Sequence, residues 1–336
     1  MAKDVCVLAY SGGLDTSVCL RWLMDEMNLD VVCVVGEVGQ EHDGLEKIRE
    51  RALEVGAMEC IIADMRETFA NEYLTKALAA NSMFENKYPL VSALSRPLIS
   101  QYLVETAHKF GAKYVAHGCT GKGNDQVRFE NSIRALDPDL EIIAPVRVWE
   151  LHTREDEMKW AEAHGVHVGA TKKKPYSIDD NLWGRAIECG VLEDPMNRPP
   201  LDIYTMTANP VDAPDEPTEI TIDFKQGVPC AIDGVEMSMQ EVVVKLNEIV
   251  GATGYGRIDM IENRMVGVKS RECYEAPGAL ALIEAHRALE DMCLEREVLR
   301  YKLHMEHDWA TNVYNGQWFS PLKHAMDQFF AATQRC

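Results

Sequence analysis

The chain has 336 residues, enough for about two domains at roughly 150 residues each. Its 46% apolar and 26% charged residues suit a globular protein with a sizeable core and exclude a disordered or fibrous chain. A formal net charge of -20, from 54 acidic and 34 basic residues, repels polyanions such as tRNA or DNA and favours small-molecule partners over nucleic acid. No window holds the ~18 uninterrupted apolar residues of a membrane span, and the N-terminus runs straight into a strand pattern, so neither a signal peptide nor a membrane partner is expected. Ten scattered cysteines without a Cys-x-x-Cys pair read as reduced thiols of a cytoplasmic protein.

Apolar runs at 5–9, 31–35, 60–63, 114–116 and 141–144 predict short strands buried on both faces. Helical spacing at 14–27, 45–55, 66–79, 97–110 and 154–164 fills the intervals, with Gly56, Gly111 and Gly165 closing three of these helices. The alternation predicts an α/β fold over residues 1–165, a doubly wound and mostly parallel sheet. Six of the 14 prolines then fall between Pro195 and Pro217, where the alternation stops, so 166–336 is expected to form a second, α+β domain. There the pattern predicts strands at 219–224 and 228–232, a helix at 239–250 and one long helix at 278–303.

The strongest local signal follows the first strand: Tyr10-Ser11-Gly12-Gly13-Leu14-Asp15-Thr16-Ser17, then a helix. Two glycines let the backbone turn tightly and aim N–H groups at a ligand, and the helix N-terminus favours an anion. The loop lacks the lysine of a Walker A motif and holds a carboxylate, Asp15, suited to Mg²⁺ beside phosphates. The plainer reading is a glycine turn with Ser11 or Asp15 as the helix N-cap.

Ser-Gly-Gly-x-Asp-x-Ser after a first strand resembles the pyrophosphate-loop ATPases, which split ATP between its α- and β-phosphates and adenylate a carbonyl oxygen. The wording from Ala9 to Ser17 is similar to the argininosuccinate synthase family. So are Gly39-Gln40, Tyr88-Pro89-Leu90, Ser95-Arg96-Pro97, the stretch from His117 to Glu130, Tyr176-Ser177-Ile178-Asp179, Ile258-Asp259, Glu262-Asn263-Arg264, Lys269-Ser270-Arg271 and Tyr274-Glu275. The resemblance covers residues 4 to about 334. It implies a sheet of the pyrophosphate-loop, adenine nucleotide alpha hydrolase-like type, followed by a synthetase domain. It also implies a ligase that joins citrulline and aspartate in arginine biosynthesis, using ATP with Mg²⁺ and releasing AMP and pyrophosphate by way of a citrullyl-adenylate.

By the same resemblance Ala9, Tyr10, Ser11, Gly12, Gly13, Leu14, Asp15, Thr16, Ser17, Gly36 and Gly118 contact ATP. Thr120, Asn124 and Asp125 contact aspartate. Tyr88, Ala93, Asn124, Arg128, Ser177, Ala186, Glu262 and Tyr274 line the citrulline site, and Asp15, Asp125 and Arg128 are the candidate catalytic groups. Many members carry serine where Ala186 stands and some where Ala93 stands, so citrulline loses a hydroxyl here. The plainer readings make Asp125 a capping carboxylate, Arg128 a solvated helix charge, and Glu262 a partner of Arg264 or Arg271.

Members usually continue beyond the segment matching 320–334 into a strand pair and a helical arm that wraps a neighbouring subunit. The expected homo-oligomer, a tetramer in the family, loses that source of contacts in a chain ending at Cys336. The competing expectations are a binding remnant without synthesis and another adenylating pyrophosphate-loop enzyme; the charge and the missing Cys-x-x-Cys argue against the second. Lys172, Lys173 and Lys174 read as a solvated loop or as steering charges. The pairs His164 with His167 and His304 with His307 read as surface histidines without a third metal ligand.

Overall fold

The computed structural model describes residues 3–40, 44–166 and 176–335. His167 and Lys172 to Lys174 therefore lie outside the described residues. The chain forms two compact units, one of residues 1–37, 41–65 and 96–174, the other of residues 38–40, 66–95 and 175–336.

The first unit is built on β1 (Val5–Ala9), α1 (Leu14–Glu26), β2 (Asp30–Glu37), α2 (Leu45–Val55) and β3 (Glu59–Asp64). Residues 66–79, expected as one helix, are helical throughout as α3 (Arg66–Thr68), a π-helical stretch (Phe69–Leu74) and α4 (Thr75–Ala79), and they belong to the second unit. They do so because they pack against its later helices. Then follow α5 (Val91–Phe110), β4 (Tyr114–Ala116), α6 (Asp125–Leu136), β5 (Glu141–Ile143), α7 (Pro145–Val148) and α8 (Arg154–Ala163). α5 starts six residues before the expected start at 97 and runs through Pro97, which has no N–H to offer the Ala93 carbonyl.

The five expected strands form a parallel sheet in the order β3-β2-β1-β4-β5. Cys6, Val7 and Leu8 are fully buried, as parallel strands covered on both faces must be. Strand order reverses between β1 and β4. In open α/β sheets that switch point opens a crevice at the carboxyl ends of the strands, where ligands bind.

The second unit holds β6 (Ser177–Asn181), β7 (Gly184–Glu188), β8 (Ile222–Lys225), β9 (Val228–Ile232), β10 (Val235–Glu236), α9 (Met239–Gly251), β11 (Arg257–Asn263), β12 (Lys269–Glu275), α10 (Pro277–Cys293), α11 (Arg296–Tyr314) and α12 (Pro321–Thr333). The expected strand pair is present, its first strand starting three residues late, within a three-stranded antiparallel sheet β10-β9-β8. The single helix expected at 278–303 is corrected to two. Leu294 is extended, and the Glu295 carboxylate accepts from the N–H groups of Glu297 and Val298 at 3.0 and 3.1 Å, starting a new helix without a glycine or proline to mark the break. A four-stranded antiparallel sheet, β11-β12-β7-β6, escaped the hydrophobic pattern, because its strands carry polar residues on one face.

Candidate active site

β1 delivers the chain into the glycine loop, where Tyr10 N–H donates to the Val34 carbonyl at 2.9 Å and keeps the loop in line with the sheet. Gly12 has φ of +75°, and a methyl group there would stand 2.8 Å from Ile48 Cγ2, so only glycine suits it. Gly13 is the N-cap of α1, and no side chain caps the helix. The plainer reading of Ser11 or Asp15 as cap is therefore not realised, and the first-turn N–H groups are left for an anion. Ser11 and Thr16 hydroxyls lie 3.1 Å apart. Ser17 is turned inward, its hydroxyl 2.9 Å from the buried Tyr10 hydroxyl, while Leu14 joins the core. Asp15 is exposed.

Beside Asp15 stands Glu157 of α8, a residue that the sequence did not single out. Burial first, and the Asp15 carboxylate next, push its carboxyl up to about 8, and its Oε2 is buried without a hydrogen-bond donor.

The second loop leaves β4 at His117, whose buried ring accepts from Cys119 N–H at 3.2 Å through Nδ1. A methyl group on Gly118 would stand 3.3 Å from Thr16 Cγ2, so the two loops flank the switch point side by side. Gly36, near the end of β2, has Met65 and Ile99 side chains where a Cβ would point. Thr120 and Lys122 are exposed at the loop tip, and Gln126 Nε2 ties the loop to α6 by donating to the Gly121 carbonyl at 2.7 Å.

Asn124 stands at the N-cap of α6 but its side chain makes no capping hydrogen bond, and Asp125 does not serve as a cap. Its Oδ2 accepts from Nε and Nη2 of Arg96 at 2.9 and 2.8 Å, and its Oδ1 accepts from Arg128 Nη1 at 2.9 Å. Burial pushes the Asp125 carboxyl up, but the two guanidiniums outweigh it and hold the group below the usual carboxylate value. Arg128 is 4% exposed, not a solvated helix charge. Arg96 stood in a quoted motif, yet nothing in the sequence said that it would share a carboxylate with Arg128.

In the second unit, antiparallel register sorts the candidates. Ser177 pairs with Glu188, Ala186 with Tyr274, Tyr274 with Ile258, and Glu262 with Ser270. Alternation therefore places Ser177, Ala186, Glu262 and Tyr274 on one face of the sheet, while Ile187 and Cys273 turn to a small core on the other. Tyr88 stacks on Tyr274 with ring centroids 4.2 Å apart, and its hydroxyl accepts from Ser92 N–H at 2.9 Å. Ala93 lies buried in the first turn of α5.

The Glu262 carboxylate accepts from the hydroxyls of Tyr274 and Tyr314, and its charge also helps to raise the Arg264 guanidinium. Burial and the Glu262 charge push the Tyr274 phenol well up, so it stays a donor. Arg264 donates to Glu188, to Glu272 Oε1 at 2.6 Å and to Ser270 Oγ at 2.8 Å, and Arg271 pairs with Asp259. Burial, with Glu188 and Glu262 adding repulsion, pushes the Glu272 carboxyl up to about 7.

An open parallel sheet with a bare, glycine-fronted helix N-terminus at its switch point defines a nucleotide-binding α/β protein of the pyrophosphate-loop type. Residues 5–167 match the family described as "Arginosuccinate synthase N-terminal HUP domain" and residues 176–336 the "Arginosuccinate synthase C-terminal domain". The argininosuccinate synthase of Oceanobacillus iheyensis is 53% identical over 99% of this chain and 80% of its own length. Those of Chlorobium phaeobacteroides and Streptococcus gordonii are 50% and 51% identical over all of this chain, covering 84% and 83% of their own. A solved structure of the U34-tRNA thiolase NcsA from Methanococcus maripaludis aligns with 52% of this chain and 61% of its own at 14% identity and a TM-score of 0.31, too weak a likeness to bear on function. The chain belongs to the argininosuccinate synthase family.

Proposed function

We propose that the chain condenses L-citrulline with L-aspartate at the expense of ATP, giving argininosuccinate, AMP and pyrophosphate. The observation that carries this reading is the pair of loops at the switch point: an uncapped helix N-terminus on one side and a carboxylate held by two arginines on the other. The shared name of relatives at about 50% identity supports it over tRNA sulfur transfer. Residues 1–165 form the nucleotide-binding domain, which also supplies Thr120, Asn124, Asp125 and Arg128 to the amino acids, and 166–336 form the synthetase domain, with 66–95 joining it.

In the first step the ureido oxygen of citrulline attacks the α-phosphorus, and the bond to the β-phosphate breaks. A ureido oxygen is a weak nucleophile, so stabilising the departing pyrophosphate matters most. The backbone N–H groups of 11–17, the α1 dipole and the Ser11 and Thr16 hydroxyls supply that stabilisation, while Gly36 and Gly118 leave room for the nucleotide. Asp15 and Glu157 suit Mg²⁺, a hard cation that takes oxygen ligands and neutralises charge on the phosphates. The orphaned Glu157 Oε2 is an oxygen that such an ion would satisfy as a ligand.

In the second step the amine of aspartate attacks the adenylated carbon, a C–N bond forms and AMP leaves. Thr120 and Asn124 hold the aspartate, and Asp125 faces its amine. With two guanidiniums on it, Asp125 is too weak a base to take the proton, so its role is to orient and attract. Arg128 and Asn124 serve citrulline; Glu262 receives its α-ammonium beside Tyr88, Ser177, Ala93, Ala186 and Tyr274.

Nine free cysteines among the described residues support a reducing, cytoplasmic setting, and we assign a homo-oligomer as the working state. No helix among the described residues is long and apolar enough to cross a membrane. The test is incubation of the purified chain with Mg²⁺, ATP, citrulline and aspartate. Equal amounts of AMP and argininosuccinate, formed only when both amino acids are present, are expected; ATP turnover that needs neither would contradict the reading.

A further inference from the structure

Tyr314, in the last turn of α11, reaches Glu262 from a part of the second unit that supplies none of the site residues named above. Its hydroxyl donates to Glu262 Oε1 at 2.5 Å and lies 3.2 Å from the Asn263 carbonyl, while Tyr274 donates to Oε2. Its ring stacks on Phe84 with centroids 3.6 Å apart and planes within 3°, and meets Tyr88 edge-on at 6.3 Å. Tyr88 in turn stacks on Tyr274. A glutamate has three rotatable bonds, yet here each carboxylate oxygen is held by a different phenol, one on the neighbouring strand and one on a helix. Those two phenols fix the direction in which the carboxylate meets a cation. The aromatic rings beside them favour the same charge.

We infer that Tyr314 is a positioning residue for the amino-acid substrate: with Tyr274 it locks the Glu262 carboxylate in an aromatic-walled pocket that selects an α-ammonium group. This deepens the citrulline reading and rests on it. The helix that ends at Tyr314 thereby sets substrate selectivity without touching the reacting atoms.

Tyr314→Phe isolates the claim, because phenylalanine keeps the stack on Phe84 and removes only the hydroxyl. The expected result is a roughly tenfold rise in KM for citrulline, with kcat and the KM values of ATP and aspartate within about twofold. Inhibition by 5-ureidopentanoate, which is citrulline without its amino group, should be unchanged. An unaltered citrulline KM, parallel rises in all three KM values, or an equal loss of 5-ureidopentanoate binding would overturn the inference. Should Y314F not fold, Phe84→Leu keeps the hydroxyl but loosens the ring that orients it. The same selective rise in citrulline KM is then expected, and an unchanged KM would again overturn the inference. Wild-type chain that forms no citrulline-dependent AMP would instead sink the functional reading itself, and this inference with it.

Discussion

The two units solve recognition with opposite charge ratios. At the switch point of the parallel sheet, two guanidiniums share the Asp125 carboxylate, and the bare end of α1 adds partial positive charge. On the antiparallel sheet, three carboxylates, Glu188, Glu262 and Glu272, stand around the Arg264 guanidinium. The first arrangement suits phosphates and carboxylates, the second an ammonium group. The means differ as well. The first unit works through backbone turns with a few long-range side-chain contacts such as Arg96 on Asp125, and the second through side chains brought together from distant strands.

The contrast breaks most severely with Asp125→Asn, which leaves two guanidiniums without their shared counter-charge. A loss of about 3 kcal/mol is expected, lowering kcat/KM for aspartate on the order of a hundredfold. A fall of less than fivefold in steady-state assays would mean that the clamp serves only the fold. Gly12→Ala attacks the backbone side of the comparison. Its positive φ and the 2.8 Å approach to Ile48 should cost about 2 kcal/mol and weaken ATP binding more than tenfold by calorimetry, leaving citrulline binding untouched.

Glu157→Gln tests a carboxyl that, with Asp15, sets negative charge beside the phosphate loop. Its folded pKa, about 8, lies above the ordinary 4.5, so ionising it opposes folding. That cost is absent below about pH 4.5 and complete above about pH 8, and the wild-type chain loses stability as pH rises between the two. The variant should unfold at a higher temperature than wild type at pH 8.5 and show no advantage at pH 4.5. With solvent screening, the difference is on the order of 1 kcal/mol. A pH-independent difference in melting temperature would refute the assignment.

The smallest effect is expected on the sheet face. Ala186→Ser adds one neutral hydroxyl beside Tyr274, worth about 1 kcal/mol, and should lower the citrulline KM by up to about fivefold. An unchanged KM would put position 186 out of reach of the substrate.

The parallel sheet and both loops were legible because their signals are local. Buried apolar strands, Gly12 with Gly13, and the run from His117 to Arg128 each act within about a dozen residues, where turn geometry and strand propensity decide the outcome. The four-stranded sheet was not legible as strands. One of its faces is lined with Ser177, Glu188, Ser270, Glu272 and Glu262, so no apolar run announced it; the motif resemblance named the residues without the surface they share. The break at Leu294-Glu295 was equally silent, since a glutamate side chain rather than a glycine starts the next helix.

By itself, then, the sequence determined the nucleotide-binding architecture, the type of phosphate loop and the family. Tertiary structure alone decided that Arg96 and Arg128 close on one carboxylate, that Glu157 faces Asp15, and that Tyr314 joins Tyr274 on Glu262. The reason is physical. Glycines and apolar periodicity act through neighbouring backbone, whereas the pairing of β7 with β12 and the arrival of α11 depend on long-range packing that no local pattern encodes.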